Sequence, residues 1–486
     1  MLPAKIVRPT PSRRKQRLLE QANQLADARE RWMQRHPYYY TEEWRYMRFL
    51  VPPGRRVLVL GSGNGHLLNA LASSSGVGID FSDAKVAKSK QAYPGLTFIC
   101  GDIENLQPAP ELAEPFDAIV MPDTIGSLDD CLATLQGVHR FCKPETRLVI
   151  CYHTRLWDPL MRLYAMLARS HRAVGRNWLS NLDIANLLQL ADFEVIKREW
   201  RMLCPFQLFG LGRLINRFIA PLPLIRTLGL RNYVVARPRP QSQSSEPKPS
   251  VSVVIPCRNE RGNIDAAITR MPCICPEMEI IFVEGNSSDG TWEEVQRVKR
   301  SHLEYDIKAF RQPGKGKGDA VRKGFAEARG DILMILDADL TMPPEDLPKY
   351  YDALVTGKGE FINGSRLVYP MENQAMQFLN HIANSVFARL FSFLLGQRYT
   401  DTLCGTKVLR RHDYEEIAGN RSYFGEFDPF GDFDLIFGAS RLNLKTAEVP
   451  IRYAAREYGE TNISRFRHGL LLLRMVAFAF LKFKAL

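Results

Sequence analysis

Short apolar runs alternate with helical patterns along both halves of the chain. Runs rich in Val, Ile and Leu predict strands in the first half at residues 56–60, 76–79, 96–100, 118–121, 147–151 and 232–236. Runs of the same kind predict strands in the second half at residues 251–255, 279–283, 332–336 and 360–363. Strands that alternate with helices in this way are typical of parallel sheets covered by helices on both faces. We therefore expect an α/β chain.

One polar stretch interrupts this alternation. Residues 238–249 are rich in Pro, Ser and Gln, and such a stretch cannot pack into a core. A chain of 486 residues has room for two or three domains. We predict a basic helical extension at 1–34, a first α/β domain at 35–238, a linker at 239–250, a second α/β domain at 251–465 and an amphipathic C-terminal helix at 466–486.

Positive charge is concentrated at both ends of the chain. Residues 1–56 hold 13 Lys and Arg against 5 Asp and Glu, and residues 451–486 hold 7 against 2. Such ends indicate attraction to an anionic partner, for example a phospholipid surface or a phosphorylated substrate. A solvated basic surface without a dedicated partner is the alternative. We expect no nucleic-acid partner, because the sequence lacks the aromatic and basic platform that nucleic-acid-binding domains use.

The C-terminal segment combines apolar and basic residues. Arg474 interrupts residues 469–481 before the run reaches the roughly 18 residues of a membrane span. Leu470, Leu473 and Ala477 fall on one helical face near basic side chains, which predicts a helix lying on an anionic membrane. Packing against its own domain is the alternative. Nine cysteines without metal-ligand spacing indicate reduced thiols, so we expect a cytoplasmic protein that is peripheral at the inner face of the membrane.

A glycine-rich turn follows the first predicted strand. Gly61, Gly63 and Gly65 precede a helix, and glycines there let the backbone approach a ligand at the helix N-terminus. Asp80 ends the next strand 19 residues after Gly61, where an acid can hold both hydroxyls of a ribose. Asp102 follows the third strand, where a carboxylate can meet an adenine amino group. These residues predict a cofactor that contains a nucleoside.

Together, these motifs resemble the class I S-adenosylmethionine-dependent methyltransferases over residues 35–238. The resemblance implies a Rossmann-like fold and S-adenosylmethionine bound by Gly61, Gly63, Gly65, Asp80 and Asp102. That family usually has an acid two residues before the first glycine, where this chain has Val59. The spacing to Asp80 also fits a nicotinamide dinucleotide, but the element at Asp102 favours the methyl donor.

A strand ending in two acids marks the second half. Residues 330–336 form an apolar run that leads into Asp337-Ala338-Asp339. Two carboxylates at this spacing can share a Mg²⁺ or Mn²⁺ ion, which neutralises the charge that builds on a departing diphosphate. Earlier strands at 253–260 and 282–291 also end in polar, turn-rich loops. This order of elements predicts a nucleotide-diphosphate site.

The second half resembles the family 2 glycosyltransferases, which have a GT-A fold, over residues 250–465. The resemblance implies a nucleotide-sugar site made of Pro256, Asn259, Glu260, Glu284, Asp337, Arg366 and Arg456. It also implies a metal ion on Asp337 and Asp339, a diphosphate held with the help of both arginines, and an inverting displacement in which Asp339 is catalytic.

Later segments of the second half bear on the chemical class of the acceptor. Residues 401–408, 431–434, 448–452 and 456–459 look like those of polyprenyl-phosphate sugar transferases, in which an amphipathic stripe such as 376–393 lies at the membrane; core packing of the stripe is the alternative. A lipid-phosphate acceptor is already ionised and needs no base, whereas a glycan hydroxyl would need Asp432 or Asp434. Gly285 and Thr461-Asn462 depart from the family pattern, which leaves the nucleobase and the acceptor open.

The two resemblances together predict a bifunctional enzyme. It would transfer a sugar from a nucleotide-diphosphate donor to a lipid phosphate or glycan, and it would methylate a related substrate with S-adenosylmethionine. In the alternative, only the sugar transferase is active and the N-terminal domain is a degenerate methyltransferase that serves for binding or docking. Val59 favours this alternative.

Overall fold

The computed structural model describes residues 12–157, 179–240, 248–366, 378–423, 433–451 and 465–486, together with Ala454, Arg456 and Tyr458. It divides into two compact units, one ending at Arg239 and the other running from Pro240 to Lys484. The predicted base Asp432 lies outside the described residues, as does Met376 of the predicted stripe. The finer domain boundaries stay predictions.

The first unit contains a seven-stranded sheet with helices before and between its strands. Its strands are β1 (Arg56–Leu60), β2 (Ser75–Asp80), β3 (Thr97–Cys100), β4 (Phe116–Pro122), β5 (Cys142–His153), β6 (Phe193–Arg201) and β7 (Arg231–Pro238). Its described helices are α1 (Arg13–Gln24), α2 (Ala26–Arg35), α3 (Pro37–Leu50), α4 (His66–Ala70), α5 (Asp83–Ala92), α6 (Cys131–Val138), α7 (Asn181–Leu190) and α8 (Leu211–Leu214).

The strand order of the first sheet is β3-β2-β1-β4-β5-β7-β6. Strands β1 to β5 are parallel, whereas β7 is inserted antiparallel between β5 and β6. The carboxyl ends of β1 to β5 and the amino end of β7 therefore lie at one edge of the sheet. Ligands bind outside this edge in open α/β sheets.

The second unit contains a second seven-stranded sheet. Its strands are β8 (Val251–Cys257), β9 (Met278–Glu284), β10 (Asp306–Arg311), β11 (Ile332–Ile335), β12 (Phe361–Ser365), β13 (Lys407–Arg410) and β14 (Thr446–Pro450). Its described helices are α9 (Arg261–Thr269), α10 (Thr291–Ser301), α11 (Lys317–Glu327), α12 (Leu347–Val355), α13 (Phe378–Leu395), α14 (Arg411–Gly419), α15 (Phe433–Arg441) and α16 (Arg465–Ala479).

The strand order of the second sheet is β10-β9-β8-β11-β13-β12-β14. Only β13 runs antiparallel to its neighbours, β11 and β12. The other strands point the same way, so β8, β9, β11, β12 and β14 all end at one edge. Every side chain from Ile332 to Leu336 has 0% exposure, because this strand is central and buried on both faces.

The predicted parallel sheets are observed with one antiparallel strand inserted in each, so both sheets are mixed. The antiparallel β7 follows β6, which alternates apolar and charged residues and was not predicted as a strand. The antiparallel β13 has only four residues, Lys407–Arg410, and two of them are basic. Neither β6 nor β13 has the long apolar run that predicts a buried strand.

The C-terminal helix is packed on one side and exposed on the other. Met475 and Phe483 are buried, and the ring of Phe437 lies 5.7 Å from that of Phe483. Leu470, Leu473 and Leu481 on the other side are about half exposed. In the described parts of the chain, no helix combines the length and apolar character that crossing a bilayer requires.

Candidate active sites of the two units

The glycine turn of the first unit is held tightly against the neighbouring strand ends. Gly61 and Gly65 have φ of +86° and +84°, which side chains other than glycine rarely adopt. A Cβ on Gly61 would overlap the hydroxyl of Thr124, which donates a hydrogen bond to the Leu60 carbonyl at 2.7 Å. The turn therefore needs glycine for its backbone conformation and for the close approach of the β4 exit.

The predicted ribose acid contacts this turn directly. One carboxylate oxygen of Asp80 accepts from the Gly63 N–H at 2.8 Å, and the other accepts from the Ser82 N–H at 3.0 Å. Asp102 lies at the end of the adjacent β3, where it accepts from the Glu104 N–H at 3.0 Å. The structure thus places all five predicted cofactor residues at the same sheet edge, with the glycine turn and Asp80 in contact.

Helices α1 and α2 lie against this edge, and several of their polar side chains are bound there. Lys15 forms an ion pair with Asp102 at 2.6 Å. Glu30 accepts from the Asn64 side chain at 2.9 Å and pairs with His66 at 2.8 Å. Part of the positive charge of the N-terminal segment is therefore paired with a carboxylate of the same unit. Glu30 and Lys15 are site neighbours that the sequence did not predict.

A buried cluster of polar side chains sits at the ends of β4 and β5. Arg231 has 0% exposure and pairs with Glu43 and, at 2.6 Å, with Asp123. His153 contacts Asp123 at 2.9 Å through Nδ1 and the Tyr39 hydroxyl at 3.0 Å through Nε2. Asp123 has φ of +55°, an unfavourable conformation for a non-glycine residue. Strain of this kind is concentrated at functional sites.

In the second unit, the strand ends hold the predicted nucleotide loop in place. Asn259, with φ of +55°, donates its N–H to Ser287 at 3.0 Å and accepts from the Ser288 N–H at 3.0 Å. Glu284 is 2% exposed and accepts from the Ser287 N–H. The loops after β8 and β9 are therefore hydrogen-bonded to each other. Pro256 is the second-to-last residue of β8.

Arg456 joins the nucleotide loop to the predicted metal motif. Its guanidinium lies 2.7 Å from Asp339 Oδ2 and 3.4 Å from Glu260 Oε1. Tyr458 donates its hydroxyl to Asp289 at 3.4 Å, and a Cβ on Gly262 would meet the Tyr458 ring at 2.5 Å. Arg456 and Tyr458 therefore lie at the start of α9.

Glu260 has an unusual protonation equilibrium. Burial raises its pKa, and the charges of Asp339 and Asp289 add to this, while Arg456 and a hydrogen bond from Asn263 at 2.7 Å oppose it. The resulting pKa is about 7, against an ordinary value of 4.5. Asp339 behaves differently, because Arg456 and Thr341 outweigh burial and keep the pKa of Asp339 below its ordinary value.

The two predicted metal ligands each pair with a basic side chain. Lys317 lies 2.6 Å from Asp337, and a Cβ on Gly405 would overlap the Asp337 carboxylate. Among the described residues, no group of three or more His, Cys, Asp or Glu side chains is arranged to hold a metal ion. Two carboxylates nevertheless fit Mg²⁺ or Mn²⁺, since such ions often keep waters and take further ligands from a substrate phosphate. Lys317 was not predicted, although it lies in a basic, glycine-rich loop.

Two other predicted residues are bound elsewhere. Arg366 makes two parallel contacts with the fully buried Asp401, at 2.6 and 2.9 Å. The carboxylate of Asp434 accepts from Arg421 at 2.8 Å. The described contacts thus join neither residue directly to Asp337 or Asp339, and the roles of Arg366 and Asp434 stay predictions.

Two family models match the chain. A methyltransferase domain model matches residues 20–198, and the glycosyl transferase family 2 model matches residues 252–418. The chain carries a methyltransferase domain followed by a family 2 glycosyltransferase domain. Both resemblances are confirmed, and the α/β fold class is confirmed by the two seven-stranded sheets.

Curated relatives resemble part of the chain. It is 30% identical over 220 residues to dolichol-phosphate mannosyltransferase from Pyrococcus furiosus, covering 44% of this chain and 59% of the relative. It is 30% identical over 225 residues to the low-salt glycan biosynthesis hexosyltransferase Agl6 from Haloferax volcanii, covering 46% of this chain and 51% of the relative. The chain thus spans between 51% and 59% of the length of these relatives.

A solved methyltransferase structure also resembles the chain. This S-adenosylmethionine-dependent methyltransferase from Thermotoga maritima, described as a possible histamine N-methyltransferase, is 20% identical. It covers 45% of this chain and 99% of its own length, with a TM-score of 0.35.

Both domains keep the departures seen in the sequence. In the methyltransferase domain, Val59 has 0% exposure and is paired in the sheet with Gly78 and Val120. In the glycosyltransferase domain, Gly285 donates its N–H to the Cys257 carbonyl at 2.9 Å. Neither position provides the carboxylate that the family pattern has there.

Proposed function

We propose that the second unit transfers a sugar from a nucleotide-diphosphate donor to a lipid-phosphate or glycan acceptor with inversion at the anomeric carbon. The observation that carries the proposal is the contact of Arg456 with both Asp339 and Glu260. It joins the predicted nucleotide loop to the predicted metal motif at the carboxyl edge of the sheet. A dolichol-phosphate mannosyltransferase among the relatives supports the lipid-phosphate acceptor.

In this mechanism, Asp337 and Asp339 would hold a Mg²⁺ or Mn²⁺ ion, and that ion would supply positive charge that stabilises the departing diphosphate. Arg456 and Lys317 bring two further cations to the same carboxylates, and their N–H groups can bind phosphate oxygens. The acceptor oxygen bonds to the anomeric carbon as the bond to the diphosphate breaks. An ionised lipid phosphate needs no base, whereas a hydroxyl would give its proton to Asp432 or Asp434.

Replacing one metal ligand tests this proposal. We expect UDP or GDP with Mn²⁺ to raise the thermal unfolding temperature of the wild type, because bound ligand stabilises the folded state by mass action. Asp339→Ala should abolish this rise and the Mn²⁺-dependent turnover of nucleotide sugars. Asp352→Ala, which removes an exposed carboxylate of α12, should keep both. An unchanged response in Asp339→Ala would contradict the assignment.

The methyltransferase domain is proposed to bind S-adenosylmethionine at Gly61, Gly63, Gly65, Asp80 and Asp102. The glycine turn and Asp80 fit the nucleoside end of this cofactor, because backbone N–H groups and a buried carboxylate meet there. The bound cofactor would supply the methyl group to a related substrate. A second candidate function, binding or docking without methylation, is favoured by Val59 at the position of the expected acid. Calorimetry of S-adenosylmethionine with the full chain separates the two candidates.

We further propose that the second unit contacts an anionic membrane at the cytoplasmic face. Helices α13 and α16 pack together. The two helices and the turn after α16 expose apolar side chains: Val386, Leu390, Leu470, Leu473 and Leu481. Arg474, exposed among them, can contact lipid phosphates. All nine cysteines are free thiols, which fits a reducing compartment.

A further inference from the structure

The first unit has a concentrated apolar surface on residues 206–228. These 23 residues supply ten of the 21 large hydrophobic side chains that are exposed in the described parts of the chain. The ten are Phe206, Leu208, Phe209, Leu211, Leu214, Phe218, Ile219, Leu222, Leu224 and Leu228. Single exposed apolar residues are ordinary, whereas a contiguous set marks an interaction surface.

This surface is presented by an ordered scaffold. The buried side chain of Asn216 accepts from the N–H groups of Leu203 and Cys204, both at 2.8 Å. Its amide donates to the Cys204 carbonyl at 2.6 Å and to the Tyr38 hydroxyl at 3.0 Å. The fold therefore holds the segment in place while Phe209, with φ of +54°, and Leu224 remain 111% and 88% exposed.

The charge of the segment has one sign. Residues 200–230 contain no Asp or Glu and four arginines, at 201, 213, 217 and 226. Arg201 lies over the Tyr46 ring and Arg226 over the Trp200 ring, so both are anchored at the base of the segment. Glu42 of α3 is within electrostatic reach of Arg213 and Arg217 and offsets only part of the positive charge.

We propose that residues 206–228 are a membrane-docking surface of the first unit, which inserts its Leu, Ile and Phe side chains into an anionic bilayer. Arg213 and Arg217 then contact lipid phosphates at the level of the headgroups. A bilayer fits this surface better than a protein partner does, because lipid accepts projecting side chains without a shape-matched cavity. The proposal concerns the first unit alone and does not depend on sugar transfer.

Vesicle sedimentation with the full chain tests the surface. The probes are vesicles of phosphatidylcholine alone and of phosphatidylcholine with about one third phosphatidylglycerol. We expect tighter binding to the anionic vesicles, weakened by salt. Phe209→Asp combined with Leu224→Asp should lower the partition coefficient at least tenfold. Arg213→Gln should weaken binding to anionic vesicles by roughly fivefold, the effect of one basic residue near such a surface.

The matched control is Leu182→Asp combined with Leu190→Asp, since both leucines are exposed on α7 of the same unit. The control should bind like the wild type. Leu470→Asp with Leu473→Asp, in α16, measures the contribution of the second unit separately.

Equal binding by wild type and the Phe209/Leu224 variant would overturn the proposal. So would a wild-type dimer that this variant converts to a monomer without any change in vesicle binding, because a second copy would then be the occupant. A wild-type protein that binds vesicles normally but shows no Mn²⁺-dependent turnover would contradict the proposed sugar transfer and leave the docking proposal standing.

Discussion

Glu260 shows at the scale of one residue how burial and charge are balanced in the candidate nucleotide site. Its carboxyl is 7% exposed, and Arg456 is the cation that offsets the cost of burying its charge. The sequence predicted that both residues belong to the site. It did not predict their contact, because the two residues lie far apart in the chain and meet only in the folded unit.

The raised pKa of Glu260 predicts a pH-dependent stability. The folded state keeps this proton up to a pH of about 7, whereas an unfolded chain releases it near 4.5. The folded state therefore binds more protons between these values, and its stability falls as pH rises through that window. Glu260→Gln cannot ionise. We expect the unfolding temperature of Glu260→Gln relative to wild type to be higher at pH 8 than at pH 5.

Scanning calorimetry of the metal-free protein at both pH values provides this measurement. Glu293→Gln is the matched control, because Glu293 is an exposed glutamate of the same unit. The control should show the same difference from wild type at both pH values. A difference for Glu260→Gln that stays constant or decreases from pH 5 to pH 8 would refute the prediction.

The buried cluster around Arg231 illustrates what residue patterns miss. Its members come from α3, β5, β7 and the exit of β4, and they meet only because β7 runs antiparallel beside β5. The apolar run at 232–236 predicts a strand but not its direction, so the sequence did not place Arg231 at this edge of the sheet. The one sequence feature that pointed to this cluster was an acid, Asp123, directly after the strand β4.

At the scale of elements, buried strands were predictable and mixed-character strands were not. Every predicted strand overlaps an observed one, because residues buried on both faces form continuous apolar runs. The strands that were missed, β6, β10, β13 and β14, are short or rich in charged residues. Strands β6, β10 and β14 are edge strands, and β13 lies between β11 and β12. At these positions the neighbouring strands rather than the local sequence determine the pairing.

The turn between β1 and α4 gives a prediction at this scale. Gly61→Ala would add a methyl group that overlaps the Thr124 hydroxyl, in addition to straining the left-handed backbone. We expect it to cost about 1–3 kcal/mol of folding free energy and to abolish S-adenosylmethionine binding. Gly54→Ala is a close control, because Gly54 has φ of +76° and no atom within 4 Å of the added Cβ.

Urea unfolding and calorimetry on the full chain separate the two effects. Gly54→Ala should lose stability through backbone strain alone and keep its heat of S-adenosylmethionine binding. If Gly61→Ala binds the cofactor as tightly as Gly54→Ala does, the glycine turn is not the cofactor site. If neither variant nor the wild type binds it, the docking function suggested by Val59 is favoured.

At the scale of the whole molecule, the two units have separate sheets. Each sheet has seven strands, and no strand of one unit pairs with a strand of the other in the described parts of the chain. Each candidate site is likewise built on the carboxyl edge of its own sheet. The sequence predicts a linker at 239–250 from the polar stretch at 238–249, because a segment without apolar side chains cannot join two cores.

This separation predicts that cutting the chain at the linker preserves both sites. A protease site placed within residues 241–247 would interrupt no described strand or helix. Because each sheet is complete within its unit, the cleaved protein should bind S-adenosylmethionine, and UDP or GDP with Mn²⁺, with the affinities of the uncut protein. Calorimetry before and after cleavage measures both. Protein carrying the inserted site but left uncut is the control. A loss of either affinity on cutting alone would mean that the site depends on the covalent connection, which two independent sheets do not require.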